Sequence, residues 1–288
     1  MNPRYPVFIP TKGRHESRFT IRTFQAAGIP FRIFVEEQEA ELYAAHVEES
    51  QIVVLPHRDK GLTVTRNWIW DYAAEREYPR FWTFDDNIKG LFRFNFNLKT
   101  PMADGTALRI IEDFTDRYEN IPIAGMNYFM FASRKCGNQP PIYWNTRVYS
   151  NMLIKTQAPF RNVTFFNDDT DLCLRVLKSG SCTALFNAFL IGKAATMTVK
   201  GGMTDYYDET DNRMEFVEEL RRAHPELVKV TKKWGRWHHH VDYSVFRRNA
   251  PALRSGVEVS AEPDNYGMVL EKERADGSWG EIAAPEYW

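Results

Sequence analysis

The chain has 288 residues, of which 43% are hydrophobic and 26% charged, with a formal net charge of −1. That is the profile of a soluble globular protein long enough to bury a large core. It excludes a molecule-wide cationic surface for nucleic acid, and no apolar run approaches the roughly 18 residues that a membrane span needs.

The first hundred residues alternate strand and helix signals. Val7-Phe8-Ile9 is an apolar run bounded by prolines and reads as a buried strand. A polar loop, Thr11 to Ser17, follows. Ser17 is the expected cap of a helix running to Ala27, and Gly28 and Pro30 end it. Phe31 to Val35 is the second expected strand, Glu36 to Val47 a helix and Ile52 to Leu55 the third strand. Thr63 to Glu77 is a helix with Val64, Trp68, Ile69 and Tyr72 on overlapping apolar faces, and Phe81 to Phe84 is the fourth strand. Repeated β-α units of this length predict a doubly wound, mostly parallel sheet with right-handed crossovers.

Further on, helices are expected at 105–118, 168–178 and 215–223, and strands at 121–125, 148–154 and 184–191. The organisation expected is one α/β domain over residues 1–250, with a nucleotide-binding half (1–100) and an acceptor half (101–250). Residues 251–288 form a polar, turn-rich extension. The three cysteines, Cys136, Cys173 and Cys182, are odd in number and lack metal-ligand spacing, so buried thiols in a reducing compartment are expected. The first residues lead straight into a strand without the apolar core of a signal peptide, which points to the cytoplasm.

Two acidic clusters carry most of the chemistry. Asp85-Asp86-Asn87 ends the fourth strand, and carboxylates there are costly to bury unless a cation or ligand engages them. Mg²⁺ and Mn²⁺ take oxygen ligands and need few from protein when phosphates supply the rest, so one carboxylate suits a metal and the other a ribose hydroxyl. The plain alternative is a turn cap and an ion pair. In a doubly wound sheet the loop after strand one lies on the same edge, which would put Thr11, Lys12, Arg14, Asp85 and Asp86 in one crevice. Arg66-Asn67, on the helix before the fourth strand, could hold a uracil edge or a diphosphate.

The second cluster, Asp168-Asp169-Thr170-Asp171, opens an amphipathic helix. Acids suit a helix N-terminus, but three in four residues repel one another without a neutralising partner, which makes one a candidate general base. The stretch Arg221 to Arg254 holds nine Lys or Arg residues against Glu226 and Asp242, a basic stripe suited to phosphates. Within it lies Trp234-Gly235-Arg236-Trp237-His238-His239-His240. Neighbouring histidines on a strand point to opposite sides, so one, taken as His239, would complete a metal shell with Asp86 and phosphate oxygens. A polar surface strand is the plainer reading.

These segments resemble a known family. Ile9-Pro10-Thr11-Lys12-Gly13-Arg14, Thr65-Arg66-Asn67 before the Asp-Asp pair, and Asp168-Asp169-Thr170-Asp171-Leu172 before Arg175 are similar to the motifs of GT-A glycosyltransferases. The narrower resemblance is to the TET-associated glycosyltransferases of bacteriophages. It rests on Phe84-Asp85-Asp86-Asn87-Ile88, the run Asn127 to Lys135, Lys193-Ala194-Ala195-Thr196-Met197 and Lys200-Gly201-Gly202, and covers roughly residues 5 to 250.

That resemblance implies a GT-A fold and transfer of a sugar from a UDP-sugar to 5-hydroxymethylcytosine in DNA, after a TET-like oxygenase has made the hydroxymethyl group. Pro10, Thr11, Lys12, Arg14, Arg66, Asn67, Asp85 and Asp86 would bind the donor. Asp86 or Asn87 would hold Mn²⁺ or Mg²⁺, joined on the reading above by His239, and Asp169 would be the base of an inverting displacement. Asn87 stands where GT-A enzymes more often have an acid. Lys229, Lys232, Lys233, Arg236, Arg247 and Arg248 would contact DNA phosphates. A GT-A enzyme with a polysaccharide or protein acceptor is the rival expectation.

Overall fold

The computed structural model describes residues 1–95, 97–133, 139–194, 201–202, 213–233 and 235–258. The chain separates into two units, Met1–Ala252 and Leu253–Trp288. Within the first, β1 (Val7–Pro10), α1 (Phe19–Ala26), β2 (Arg32–Val35), α2 (Ala40–Ala44), β3 (Ile52–Val54), α3 (Leu62–Glu75) and β4 (Arg80–Phe84) follow the expected alternation. Then come β5 (Ile88–Asn95), β6 (Leu98–Pro101), α4 (Thr106–Thr115), β7 (Ile123–Tyr128), β8 (Ile142–Trp144) and β9 (Asn151–Lys155). The first unit closes with α5 (Asp168–Lys178), β10 (Thr183–Lys193), α6 (Arg213–Ala223) and the hairpin β11 (Val228–Lys233) and β12 (Arg236–Val241). Among the described residues, no helix is long and apolar enough to cross a membrane.

One mixed sheet runs β3-β2-β1-β4-β9-β7-β10-β5-β6, with β8 paired to β10. The stretch β3-β2-β1-β4 is parallel throughout, as its helical crossovers require. Strand β9 enters antiparallel between β4 and β7, which joins the two expected halves into a single sheet. The buried strands are apolar on both faces, as for a sheet covered by helices. Phe8, Phe34 and Phe81 are buried with Ile69, Trp70 and Tyr72 of α3 and Leu172, Cys173 and Val176 of α5.

Several local expectations are corrected. Arg18, in the left-handed region at φ 41°, precedes α1, and no side chain caps that helix; the Ser17 hydroxyl instead donates to the Arg14 carbonyl. The helix expected over Glu36 to Val47 is a short 3-10 turn followed by the five-residue α2. On α3 the buried face includes Trp70, whereas Val64 is exposed; the Trp70 indole donates to the Thr156 carbonyl at 2.8 Å, a partner no helical periodicity reveals. The expected cysteine burial holds for Cys173 and Cys182. Cys136, Arg134, Lys135, Trp234, residues 195–200 and the extension beyond 258 lie outside the described residues.

Candidate active site

The carboxyl ends of the parallel strands β1 and β4 and the N-terminus of α5 meet through charge pairs. Arg66, on the first turns of α3, joins the two acidic clusters. One guanidinium nitrogen contacts Asp85 at 2.8 Å and the other contacts Asp168. All three side chains are mostly buried. In a medium of low dielectric this triad is stable only because each charge has a partner.

Asp85 takes two more donors, Ser150 Oγ at 2.6 Å and Lys193 Nζ at 2.8 Å. Burial works to raise its carboxyl, but Lys193 and Arg66 outweigh burial and hold it below the usual carboxylate range. Asp168 has the same guanidinium but fewer donors. Burial, with Asp169 beside it, overcomes Arg66 and pushes its carboxyl up to about 6. Lys193 also contacts Ser150 Oγ at 2.6 Å and Tyr128 Oη at 3.4 Å.

Asp86 turns the other way. It accepts from Arg14 and, at 3.0 Å, from the Thr11 hydroxyl. Its carboxyl is raised by burial and by Asp85, against Arg14. Arg14 is fixed in turn by the Gly201 carbonyl at 3.0 Å. Gly201 and Gly202 have φ of 86° and 62°. A Cβ on Gly201 would meet the Gly13 carbonyl oxygen at 2.4 Å, and one on Gly202 the Arg14 guanidinium at 2.8 Å. Only glycine permits this approach, which explains why a Gly-Gly pair sits so far along the chain from the loop it braces.

Asp169 is half-buried at the start of α5. Among the described residues its donors are the backbone N–H and hydroxyl of Thr170, both to Oδ1. It acts electrostatically on Arg66, Tyr128, Arg147, Tyr149 and Tyr243. Those side chains come from α3, β7, the segment before β9 and the segment after β12. Sequence reasoning had no signal for Ser150, Arg147 or Tyr149, because the pairing of β9 with β4 and β7 places them. Lys193 was visible only as part of a family motif.

Other expected donor-binding residues point elsewhere. Pro10 is buried at the end of β1. Lys12 pairs with Glu36, at 2.9 Å, and with Asp59. The Asn67 side chain brackets Asn162, donating to its carbonyl at 2.8 Å and accepting from its N–H at 2.9 Å. That pair ties α3 to the segment leading into α5.

For a divalent ion, the end of β4 offers a partial fit. Asn87 Oδ1 is buried and receives no donor among the described residues. Asp86, next to it in the chain, already accepts from Arg14 and Thr11 on its two oxygens, but each carboxylate oxygen keeps a further lone pair that a hard cation can use. His239 does not join them. Its Nε2 lies 2.9 Å from Arg147 Nη1, and a lone pair accepting from a guanidinium is not available to a metal. Burial and Arg147 push this imidazole down to about 4. Among the described residues no three His, Cys, Asp or Glu side chains gather as a metal cluster.

The hairpin sorts the basic stripe by face. Cross-strand pairs Lys229–His240, Thr231–His238 and Lys233–Arg236 share one side, and Val230–His239 and Lys232–Trp237 the other. Lys229, Lys233 and Arg236 are exposed. Lys232 lies over the Trp237 ring at 5.2 Å. Arg247 and Arg248 are exposed beyond the hairpin.

The family model of the TET-associated glycosyltransferases matches residues 5–202. The chain therefore belongs to the TET-associated glycosyltransferases, a family of sugar-transferring enzymes linked to TET-modified DNA. Among curated proteins no match is found. Among solved structures, the chain is similar to mannose-6-phosphate isomerase from Helicobacter pylori. The identity is 10% over 88% of this chain and 94% of that one, with a TM-score of 0.31; at that score the likeness carries no argument.

Proposed function

We propose that the protein transfers a sugar from a UDP-sugar to the hydroxyl of 5-hydroxymethylcytosine in DNA, with inversion at the anomeric carbon. A single observation supports this reading: Arg66 binds both Asp85 and Asp168, so the strand-end acids and the helix-start acids lie side by side. Donor and acceptor chemistry can then meet there.

The acceptor hydroxyl approaches with its proton directed at Asp169. As its oxygen bonds to the anomeric carbon, the bond from that carbon to the diphosphate oxygen breaks and UDP leaves with the electron pair. Asp169 receives the proton. Asp85, held by Arg66, Lys193 and Ser150, would accept from a ribose hydroxyl of the donor through a remaining lone pair. Arg14, Arg66 and Lys193 are already matched by Asp86, Asp85 and Asp168, so little protein charge remains for a leaving diphosphate. A Mn²⁺ or Mg²⁺ held by Asp86 and Asn87 would supply that charge.

The exposed face bearing Lys229, Lys233 and Arg236 supports a polyanionic acceptor, since such cations give affinity without reading sequence. A TET-like oxygenase would supply the hydroxymethyl group. The test is mass spectrometry of nucleosides from 5-hydroxymethylcytosine DNA incubated with Mn²⁺ and a panel of UDP-sugars. A hexose or N-acetylhexosamine added to the modified nucleoside is expected. UDP release with only unmodified nucleosides would reject the acceptor.

A further inference from the structure

We propose that Met130 and Phe131 form an apolar wedge that enters the base stack of duplex DNA and holds open the gap left by the extruded acceptor nucleotide. The inference rests on the DNA-acceptor reading above and adds to it the residues that open the duplex.

These two side chains follow β7 and are 76% and 54% exposed. Single exposed hydrophobic residues are ordinary. This pair is unusual because the backbone on either side is fixed. The N–H groups of Phe131 and Ala132 both donate to the Tyr128 carbonyl, at 2.9 and 3.3 Å, and the Phe129 N–H donates to Ile191 at 2.9 Å. Ala132 is buried, and the Phe129 ring packs on Phe92 at 4.7 Å. The tip is therefore a braced turn that presents a thioether chain and a phenyl ring to water.

Position gives the second observation. The Phe131 ring lies 5.3 Å from Tyr128, Tyr128 lies 4.5 Å from Tyr149, and the Arg147 guanidinium covers Tyr149 at 4.6 Å. Both tyrosines feel the charge of Asp169. Behind the exposed tip, Tyr128 and Tyr149 lead on towards the proposed base and offer ring faces on which an extruded pyrimidine can stack. Arg147 also contacts His239 of the hairpin, on the face opposite to Lys229, Lys233 and Arg236, so the aromatic row and the inner face of the hairpin meet at Arg147. Lys99 donates to the Phe129 carbonyl at 2.5 Å, which adds a cation beside the tip. An apolar tip with a cation beside it suits duplex DNA, whose stacked apolar interior lies between phosphate rails.

A base inside a duplex cannot bring its hydroxymethyl oxygen into a crevice whose acids are mostly buried. It has to leave the stack, and the vacated space is unfavourable unless another group fills it. Phe and Met are side chains that proteins insert for this purpose.

The test uses the full-length enzyme and one oligonucleotide carrying a single 5-hydroxymethylcytosine, offered single-stranded or in duplex. In Met130→Ala/Phe131→Ala, kcat/KM on the duplex is expected to fall about 10- to 100-fold, with single-strand activity within about twofold of wild type. Phe131→Leu, still apolar, should recover most of the duplex activity. Without donor, 2-aminopurine next to the target should brighten on binding wild type and stay quenched with the double variant. Phe131 is half-exposed and packs on Tyr128, so the double variant should lose only a little thermal stability and still unfold in one cooperative transition.

Equal losses on both substrates, no loss on the duplex, or wild-type activity confined to single strands would each overturn the wedge. If wild type adds sugar to neither substrate, the DNA-acceptor reading fails and the wedge falls with it. If wild type and the double variant glycosylate both equally, the wedge alone fails.

Discussion

The acid cluster at the sheet edge, the proposed crevice, and the β11–β12 hairpin are both rich in charge but handle it in opposite ways. In the crevice, Asp85, Asp86 and Asp168 are mostly buried, and each touches Arg14, Arg66 or Lys193. On the hairpin, Lys229, Lys233 and Arg236 are exposed, and none has an ion-pair partner among the described residues. A buried pair is shielded from salt but fails steeply when one member is removed. Exposed charges of one sign act additively and weaken as salt rises. The crevice therefore has the stiffness that bond chemistry needs, and the hairpin has the tolerance that suits a phosphate backbone.

The largest effect should come from the crevice's least-paired acid. Asp169→Asn should lower transfer about 10²- to 10⁴-fold while leaving UDP binding near wild type, as read by single-turnover kinetics and calorimetry. Lost UDP binding with surviving turnover would remove Asp169 from the role of base.

Next comes the bridge. Arg66→Ala leaves Asp85 and Asp168 buried without their shared cation and should cost about 3–5 kcal/mol in urea unfolding. Arg66→Lys should recover only part, because an ammonium cannot span two carboxylates as a guanidinium does. A near-neutral Arg66→Ala would break the contrast, since it would mean that the crevice charges behave like surface ones.

A smaller effect is a slope in pH. The Asp168 carboxyl is held at about 6 in the folded protein, above its ordinary value. The folded state then binds that proton more tightly than the unfolded chain, so this group's contribution makes stability fall as pH rises from about 4 to about 6 and stay flat above. Asp85 is displaced in the opposite direction, but that contribution changes below this window. Urea midpoints measured from pH 4 to pH 6 should give a more negative slope in wild type than in Asp168→Asn, because His239, pushed down to about 4, and the raised Asp86 contribute alike to both proteins.

The hairpin effects should be smallest per residue. Lys229→Gln, Lys233→Gln and Arg236→Gln should each weaken DNA binding alike across sequences and reduce the slope of log affinity against log salt by about 1. Fluorescence anisotropy at several salt concentrations measures this. A substitution that changes sequence preference instead would mean that the hairpin reads bases.

The alternation of strands and helices through β4 and the span of α5 could be read from the chain, because apolar periodicity and helix stops are local properties. So could the chemical character of both acidic clusters, since carboxylates at a strand end and at a helix start are conspicuous wherever the fold puts them. Strands β5 and β8 were not read, because they pair with β10, far along the chain, and β6 was not read, because it pairs with β5. The same reason governs the site. Lys12 and Asn67 looked like donor contacts but found Glu36, Asp59 and Asn162, whereas Lys193 and Ser150 reached Asp85 by way of β10 and the segment before β9. Sequence alone determined which groups carry charge and which elements hold them. Tertiary structure decided which charges meet, because electrostatic pairing depends on distance and burial, and both arise only when remote strands close into one sheet.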